Sequence, residues 1–339
     1  MAPAARHTKK TFDSEAQSTM TQPTIESGRT GQCDWTRLRV AGAMMEIIPA
    51  RGALLSQWQV ARAGQPMPVL WLSGDAYDAP FGPQSRLMGG MPLLFPVAGP
   101  TLRDGQEGRY LVEGAAYTMP GHGFASKVAW TPDSPTVSAG EAAMTLRLTD
   151  TPETRKTWPF AFESTVTYRL RERSLRTEWR VRNLSATPAP MAPGLHPYFH
   201  LPFTDKGRRA DVLVHTFARN HYVLSLETRC WSGQTTPLPN YTLRLGNLPS
   251  GRSFMVGDLE RPEYVVEDPA SGVRVRAEWP APKKPGDGPY LNFWTSSDEV
   301  PMFCVEPFMT PTNALNHRHG LIEVAPGDEW AWWFEMRVE

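Results

Sequence analysis

The stretch Val166-Thr167-Tyr168-Arg169-Leu170-Arg171-Glu172-Arg173-Ser174-Leu175-Arg176-Thr177-Glu178-Trp179-Arg180-Val181-Arg182 decides the fold class. Apolar and polar residues alternate in 166–171 and again in 175–182, and the turn signal 171–174 separates the two segments. Alternation with a period of two buries one face of a strand and leaves the other in water, as in antiparallel sheets. The stretch therefore predicts two neighbouring strands, each with one buried face.

The same alternation recurs in 144–148, 273–279 and 332–339. No stretch keeps an apolar period of 3.6 over three turns, so amphipathic helices are not predicted. Strand-like segments continue on both sides of every proline-rich stretch, and no linker divides the chain. The residues therefore predict a single all-β domain over residues 31–339, built as an antiparallel β-sandwich with few or no helices.

The first part of the chain, residues 1–30, is polar and has little to bury. It predicts a disordered N-terminal extension, and it lacks the apolar core of a secretion signal. No run of about 18 apolar residues occurs, which excludes a membrane-spanning helix. We therefore expect a cytoplasmic protein.

The amino-acid composition limits the kinds of partner that we expect the protein to bind. The 339 residues include 35 basic and 35 acidic side chains, and this zero net charge gives no reason to expect nucleic acid or an anionic membrane. The 33 Pro, 27 Gly and 12 Trp suit a β protein with long loops and with a pocket for sugar rings. Cys33, Cys230 and Cys304 are few and widely spaced, so they are interpreted as reduced thiols.

Glu306 is the first candidate for chemistry. It ends an apolar run and lies between Val305 and Pro307. A carboxylate among apolar side chains loses hydration, so its pKa should rise, which suits a general base near neutral pH. A lone Glu after a strand is more often solvated or salt-bridged, so the assignment depends on partners.

Two histidine segments offer such partners, Gly121-His122-Gly123-Phe124 and Leu195-His196-Pro197-Tyr198. A lone His beside aromatic residues is usually a core residue bonded to backbone. Here Gly or Pro together with aromatics would fix each ring without covering its tip. A carboxylate and two imidazoles form an acid–base set, and we expect the three segments to meet in one pocket.

Other chemistries fit less well. A Gly-x-Ser-x-Gly elbow and a phosphate-binding loop with Lys are both absent from the sequence. Cys304 lies beside the proposed base and is interpreted as an inert buried thiol. The segment 89–100 is apolar but broken by Gly and Pro, so it is interpreted as a buried loop or edge that lines a cavity.

Several of these segments, in this order, resemble the aldose 1-epimerase (galactose mutarotase-like) family. The resemblance runs from about Cys33 to the C-terminus and includes a segment like the family's final hairpin at 320–327. The segments are Gly89-Gly90-Met91-Pro92-Leu93-Leu94-Phe95-Pro96, His122-Gly123-Phe124-Ala125 with Trp130, His196-Pro197-Tyr198-Phe199, and Cys304-Val305-Glu306-Pro307 with Asn313-Ala314-Leu315-Asn316.

The resemblance implies a large twisted antiparallel β-sandwich (the galactose mutarotase-like supersandwich) that binds a sugar in an open cleft. Glu306 matches the general base that takes the proton from the C1 hydroxyl. His196 matches the general acid that protonates the ring oxygen, and His122 matches the histidine that hydrogen-bonds near that oxygen. The reaction needs no metal and no other cofactor. We expect a small-molecule sugar as the substrate, and a monomer or homodimer.

By the same resemblance, the residues expected to bind the substrate beside His122 are Arg86, Phe95, Tyr198 and Asn316. Many relatives have Arg directly before the Gly-Gly pair, where this chain has Met88. In the hexose-6-phosphate branch that Arg helps to hold the phosphate, so its absence argues against a phosphorylated substrate unless Arg86, Arg103 or Lys127 substitutes.

Three functions stay open. The first is an aldose 1-epimerase (mutarotase) that interconverts the α and β anomers of a hexose. The second is the same chemistry on a hexose 6-phosphate. The third is a non-catalytic carbohydrate-binding protein on the same fold. The Asp that binds sugar in galactose mutarotases is not recognisable here, so the sequence leaves the sugar open.

Overall fold

The computed structural model describes residues 22–82, 89–282 and 288–339. The helices in these ranges are short: α1 (Pro152–Thr157), α2 (Ala314–His317) and three 3-10 turns at Ala125–Lys127, Arg209–Asp211 and Leu245–Asn247. The strands in the same ranges are β1 (Thr24–Thr30), β2 (Cys33–Val40), β3 (Ala43–Ile48), β4 (Leu54–Arg62), β5 (Gln65–Pro68), β6 (Leu93–Leu94), β7 (Leu102–Arg103), β8 (Gln106–Glu107), β9 (Arg109–Val112), β10 (Ala115–Thr118), β11 (Thr131–Pro132), β12 (Thr136–Ser138), β13 (Glu141–Thr149), β14 (Phe162–Arg171), β15 (Ser174–Asn183), β16 (Ala189–Met191), β17 (Gly194–Leu195), β18 (Tyr198–His200), β19 (Leu213–His215), β20 (Ala218–Leu224), β21 (Trp231–Pro237), β22 (Thr242–Arg244), β23 (Phe254–Leu259), β24 (Glu263–Asp268), β25 (Val273–Glu278), β26 (Tyr290–Trp294), β27 (Met302–Phe308), β28 (Ile322–Val324) and β29 (Glu329–Val338).

Three antiparallel sheets make up most of the described fold. The largest runs in the order β11-β13-β14-β15-β29-β25-β24-β19-β22, with β12 also paired to β13. The second runs β21-β20-β23-β26-β27-β17-β6, with β18 also paired to β27. The third follows the chain from β1 to β5. Apolar side chains from all three sheets meet in one continuous core, which confirms the predicted all-β class.

The hairpin predicted at the centre of the sequence is present as β14 and β15. Val166 lies opposite Trp179, and Leu170 lies opposite Leu175. These four side chains are buried, whereas the residues that alternate with them in β14 are partly or fully exposed. The indole N–H of Trp179 donates to Ser164 Oγ at 2.9 Å within the core. The alternation thus determines which face of the largest sheet is buried.

The prediction of a disordered extension over residues 1–30 is wrong for residues 24–30. Thr24–Thr30 forms the edge strand β1, which pairs along its whole length with β2. Its side chains are mostly exposed, so the segment is held mainly by backbone hydrogen bonds, and these leave no apolar signal in the sequence. The rest of the predicted disordered extension, residues 1–21, lies outside the described residues, and the single domain over 31–339 stays a prediction.

The Gly- and Pro-broken segment is buried, as predicted, but part of it packs in the core and does not line the cavity. Leu94 lines the cleft described below, whereas the ring of Phe95 packs in the core at 5.2 Å from the rings of Trp158 and Phe162. Successive residues of a strand point to opposite faces, which explains the difference. The expectation that Phe95 binds substrate is therefore wrong.

Two further observations concern the whole of the described chain. Among its helices, none is long and apolar enough to cross a membrane. Its three cysteines, Cys33, Cys230 and Cys304, are buried free thiols, which agrees with the prediction of reduced cysteines.

Candidate active site

Strand β27 forms the floor of a cleft of about 620 Å³. All of its residues are buried. Because side chains alternate along a strand, Glu306 and Phe308 line the cleft, while Phe303 and Val305 join the core. The volume lies within the usual range for small-molecule sites. The apolar run that drew attention to Glu306 in the sequence is therefore a strand between core and cleft.

Glu306 and His196 form the closest acid–base pair of the cleft. His196 Nε2 lies 3.3 Å from Glu306 Oε2, and the two side chains are 10% and 1% exposed. Asn292, which lies opposite Glu306 on β26, donates its Nδ2–H to the other carboxylate oxygen at 3.1 Å. Within the described residues the buried Oε2 accepts no hydrogen bond.

Burial sets the protonation of this pair. It raises the pKa of Glu306 well above its usual range, and the hydrogen bond from Asn292 opposes that rise. Burial also lowers the pKa of His196 well below its usual range, and nearby His122 adds to that effect. Both shifts favour the uncharged form of each group, in which the two partners together hold one proton. A pair of this kind can accept one proton while it donates another.

The imidazole of His196 is held by its surroundings. Its ring stacks on Tyr198 with centroids 4.5 Å apart and planes at 15°. Trp294 meets both rings edge-on, with centroids 6.4 Å away. The backbone N–H of His196 donates to Pro92 O at 3.1 Å. Tyr198, predicted to bind substrate, lines the cleft and also orients the imidazole.

His122 faces the same cleft, with its ring centroid 5.4 Å from that of His196. Its backbone N–H donates to Gly99 O at 2.9 Å, and Gly99 N–H donates back to His122 Nδ1 at 3.1 Å. Nδ1 is therefore an acceptor, which places the ring proton of neutral His122 on Nε2. Burial, Lys127 and Arg229 lower its pKa to about 4, so near neutral pH His122 is an uncharged donor.

Gly123 provides a test of how this loop is held. Its φ is +70°, and a Cβ there would lie 2.0 Å from Phe95 O. We expect Gly123→Ala to lower the free energy of unfolding by about 2 kcal/mol or more, because the left-handed backbone and the contact both oppose a side chain. Urea unfolding measures the change. Gly121→Ala is the matched control, since nothing lies within 4 Å of its Cβ position; equal stability of the two variants would contradict the expectation.

The structure brings Glu306, His196, His122 and Tyr198 together in one cleft, and their roles stay predictions. Asn316 is placed elsewhere: its Nδ2 donates to the carbonyls of Leu102 and Arg109 at 3.0 Å, and it is not among the residues that line the cleft. It ties α2 to the strands beside it, so the expectation that it binds substrate is not supported. Arg86 lies outside the described residues.

Sequence reasoning missed two kinds of cleft residue. Asn292 had one signal, since it is the only polar residue in the buried run Tyr290-Leu291-Asn292-Phe293-Trp294. Arg51 and Arg229 had no such signal, because both lie in turns between strands, where a basic residue is ordinary. The sequence offers Lys127 only as a substitute for the missing Arg. All four line the cleft.

Among the described residues, His196, Cys304 and Glu306 are the group whose donor atoms could hold a metal ion, since these atoms lie within 4.8 Å of one another. Zinc accepts such a ligand set, but it requires a thiolate. Burial and the nearby Glu306 raise the pKa of the Cys304 thiol well above its usual range. Without a bound metal the thiol therefore keeps its proton, and we interpret His196 and Glu306 as an acid–base pair beside that thiol.

Comparison with known proteins identifies relatives of this arrangement. The family model described as aldose 1-epimerase matches residues 37–337. A protein of Escherichia coli strain K12 named "Putative glucose-6-phosphate 1-epimerase" is 34% identical over 112 residues, which are 33% of this chain and 32% of that protein. The match thus spans about a third of the length of that relative.

Solved structures show the same fold. A galactose mutarotase-like protein from Clostridium acetobutylicum has a TM-score of 0.78 at 17% identity, covering 94% of this chain and 99% of that one. The galactose 1-epimerase from Lactobacillus acidophilus NCFM has a TM-score of 0.68 at 15% identity, covering 95% and 99%. These likenesses confirm the predicted galactose mutarotase-like β-sandwich. Because the family model covers nearly all of the described residues, the chain belongs to the aldose 1-epimerase family.

Proposed function

We propose that this protein is an aldose 1-epimerase that interconverts the α and β anomers of a hexose by acid–base ring opening and closure. The observation that carries the proposal is the buried pair of His196 and Glu306, 3.3 Å apart in a cleft of about 620 Å³. Membership of the family supports the reaction class. A protein that only binds sugar has no need to bury an ionisable pair, because burying charge is costly.

In the proposed reaction, Glu306 takes the proton of the C1 hydroxyl while protonated His196 gives its proton to the ring oxygen. The bond between C1 and the ring oxygen breaks, which leaves an aldehyde at C1 and a hydroxyl at the former ring oxygen. Rotation about the C1–C2 bond presents the other face of the aldehyde. Ring closure reverses both transfers: Glu306 gives its proton to the C1 oxygen and His196 takes the proton of the attacking hydroxyl, so the pair is unchanged after the cycle. The Nε2–H of His122 is a further donor for a sugar oxygen.

Asn292 is expected to tune this pair. Its hydrogen bond opposes the rise in the pKa of Glu306, so Asn292→Leu should raise that pKa further. The shared proton then resides more on the carboxyl, and we expect kcat to fall by about 10-fold, the loss expected for a hydrogen bond to a charged group. The alkaline limb of the pH–rate profile, where the pair loses its proton, should move up by roughly one pH unit.

The matched control for this variant is Asn220→Leu, because Asn220 also donates to a carboxylate, Asp258, at 2.7 Å, but neither residue lines the cleft. The pH–rate profile of Asn220→Leu, normalised to the amount of folded protein, should equal that of the wild type. An unshifted profile for Asn292→Leu would show that this hydrogen bond does not tune Glu306.

The proposal itself is tested by the optical rotation of freshly dissolved α-glucose and α-galactose. The protein should shorten the relaxation time in proportion to its concentration. Glucose 6-phosphate, whose spontaneous mutarotation is fast, is followed by NMR exchange between its anomers. If no sugar relaxes faster but sugars still bind, the protein is a carbohydrate-binding protein without turnover, and the epimerase proposal is wrong.

A hexose 6-phosphate is the second candidate substrate. The relatives from Escherichia coli and Salmonella typhimurium both carry the name "Putative glucose-6-phosphate 1-epimerase". Met88 before the Gly-Gly pair argues against it. In its favour, three basic residues, Arg51, Lys127 and Arg229, line the cleft, and they support the inference that follows.

A further inference from the structure

Arg51 is a buried cation that the fold holds on three sides. It is 4% exposed and lies in the turn between β3 and β4. Its Nε–H donates to Cys33 Sγ at 2.7 Å. Its Nη2 donates to the carbonyls of Tyr77 at 3.3 Å and Ala79 at 2.6 Å. The guanidinium is therefore fixed in position before any ligand arrives.

No anion within the described residues compensates the charge of Arg51. None of the carboxylates there lies within ion-pair distance of it, and its Nη1 donates no hydrogen bond. The ring of Phe81, 5.5 Å from the guanidinium carbon, is a weak partner. Glu46, a buried carboxylate in the same sheet, does have a cation, Arg37, at 2.7 Å. Burying an unpaired charge is unfavourable, so the position of Arg51 at the cleft favours an external anion.

Lys127 lies close to the Arg51 turn, and Lys127 and Arg229 both lie close to His122. A Cβ on Gly52 would lie 2.4 Å from Ser126 Cα, so the Arg51 turn packs against the residue before Lys127. Lys127 and Arg229 both lower the pKa of His122, which places both near its ring. The acidic residues that line the cleft are Glu306 and the exposed Glu107. The cleft near His122 and the Arg51 turn therefore presents positive charge.

We propose that Arg51, with Lys127 and Arg229, forms an oxyanion subsite that binds an anionic substituent of the sugar, and that Arg51 determines the preference for anionic over neutral sugars. Arg suits this role because its planar guanidinium bonds phosphate and carboxylate oxygens and keeps its charge when buried. The inference rests on the proposed function for the reaction, but the subsite is defined by binding alone. A phosphate ester and a carboxylate share the required chemistry.

The test begins with binding, measured by calorimetry with inorganic phosphate as the probe. We expect wild type to bind phosphate and Arg51→Gln to bind it about 10-fold or more weakly, the loss expected for a charged hydrogen bond. Arg209→Gln is the matched control: the Arg209 side chain is also poorly exposed, at 10%, but it pairs with Asp298 and is not among the residues that line the cleft. No phosphate binding to wild type, or equal binding to the Arg51 variant, would overturn the inference.

Turnover measurements then show whether the anionic group of the sugar is a phosphate ester or a carboxylate. Glucose 6-phosphate, glucuronate and glucose are compared, and Arg51→Gln should raise KM for the preferred anionic sugar by a larger factor than KM for glucose. An equal effect on all three sugars would contradict a role in specificity. If phosphate binds through Arg51 but no sugar turns over, the epimerase proposal fails and the subsite stands.

A second variant covers the case in which Arg51→Gln does not fold, since Arg51 also contacts Cys33. Lys127 and Arg229 are more exposed, so their joint change to Gln should leave circular dichroism and Tm unchanged. We expect this double variant to weaken phosphate binding as well. Unaltered affinity of a folded double variant would remove both residues from the subsite.

Discussion

The Glu306→Gln variant is expected to lose between about 10² and 10⁴ in kcat, the range that a general base contributes. Gln has the shape of Glu but cannot take the proton of the C1 hydroxyl. The amide can still accept the hydrogen bond from Asn292, which now reaches Glu306 Oε1 at 3.1 Å. Because a neutral side chain is less costly to bury than a carboxylate, the free energy of unfolding should not fall. NMR exchange between the anomers of the preferred sugar measures the rate.

Glu335→Gln is the matched control for this loss. Glu335 is also poorly exposed, at 6%, but it lies on the largest sheet, where Arg176 and Arg337 pair with it at 3.5 and 3.1 Å. Its variant should keep wild-type kcat. Wild-type turnover by a folded Glu306→Gln protein would remove Glu306 from the reaction and, with it, the proposed mechanism.

The second large effect is expected for His196→Gln, with a loss of about 10²–10³ in kcat, since a general acid contributes within the same range. The variant loses the proton donor for the ring oxygen and also the stacking on Tyr198, 4.5 Å between centroids. We expect kcat to fall more than KM rises, because the proton is transferred only in the transition state. Without the imidazole, the carboxyl of Glu306 titrates alone, so the pH–rate profile should keep only one of its two limbs.

His215→Gln separates this effect from the general loss of a His–Glu contact. His215 Nε2 lies 3.0 Å from Glu267 Oε2, a geometry close to that of the catalytic candidates, but the pair lies on the largest sheet and not in the cleft. Its kcat should equal that of the wild type. A His196 variant that retained both limbs of the pH profile would show that another group supplies the proton.

Sequence patterns predicted the parts of the fold that burial determines. The alternation in 166–171 and 175–182 identified β14 and β15, because a strand with one wet face needs that period. The sequence also pointed to Glu306, because a carboxylate within an apolar run is unusual. The edge strand β1 was missed because an exposed strand leaves no apolar pattern.

The missed parts of the site have physical causes as well. Whether Leu94 or Phe95 faces the cleft depends on the path of a Gly- and Pro-rich segment, and both residues are equally apolar. Asn316 matched a family segment, but its amide is occupied by backbone carbonyls. Arg51 reaches the cleft only because its turn packs beside Ser126, a contact between distant parts of the chain that no local pattern encodes.

Glu306 lies on strand β27, whereas the basic residues of the cleft lie in short segments between strands. This difference has a consequence for how such a protein evolves. Glu306 stands on a strand whose alternate side chains belong to the core, so most substitutions around it cost stability as well as rate. Lys127 and Arg229, in contrast, lie in short, partly exposed segments that tolerate change. Laboratory selection that randomises these loop positions should therefore alter which sugars are accepted while the reaction itself is inherited intact.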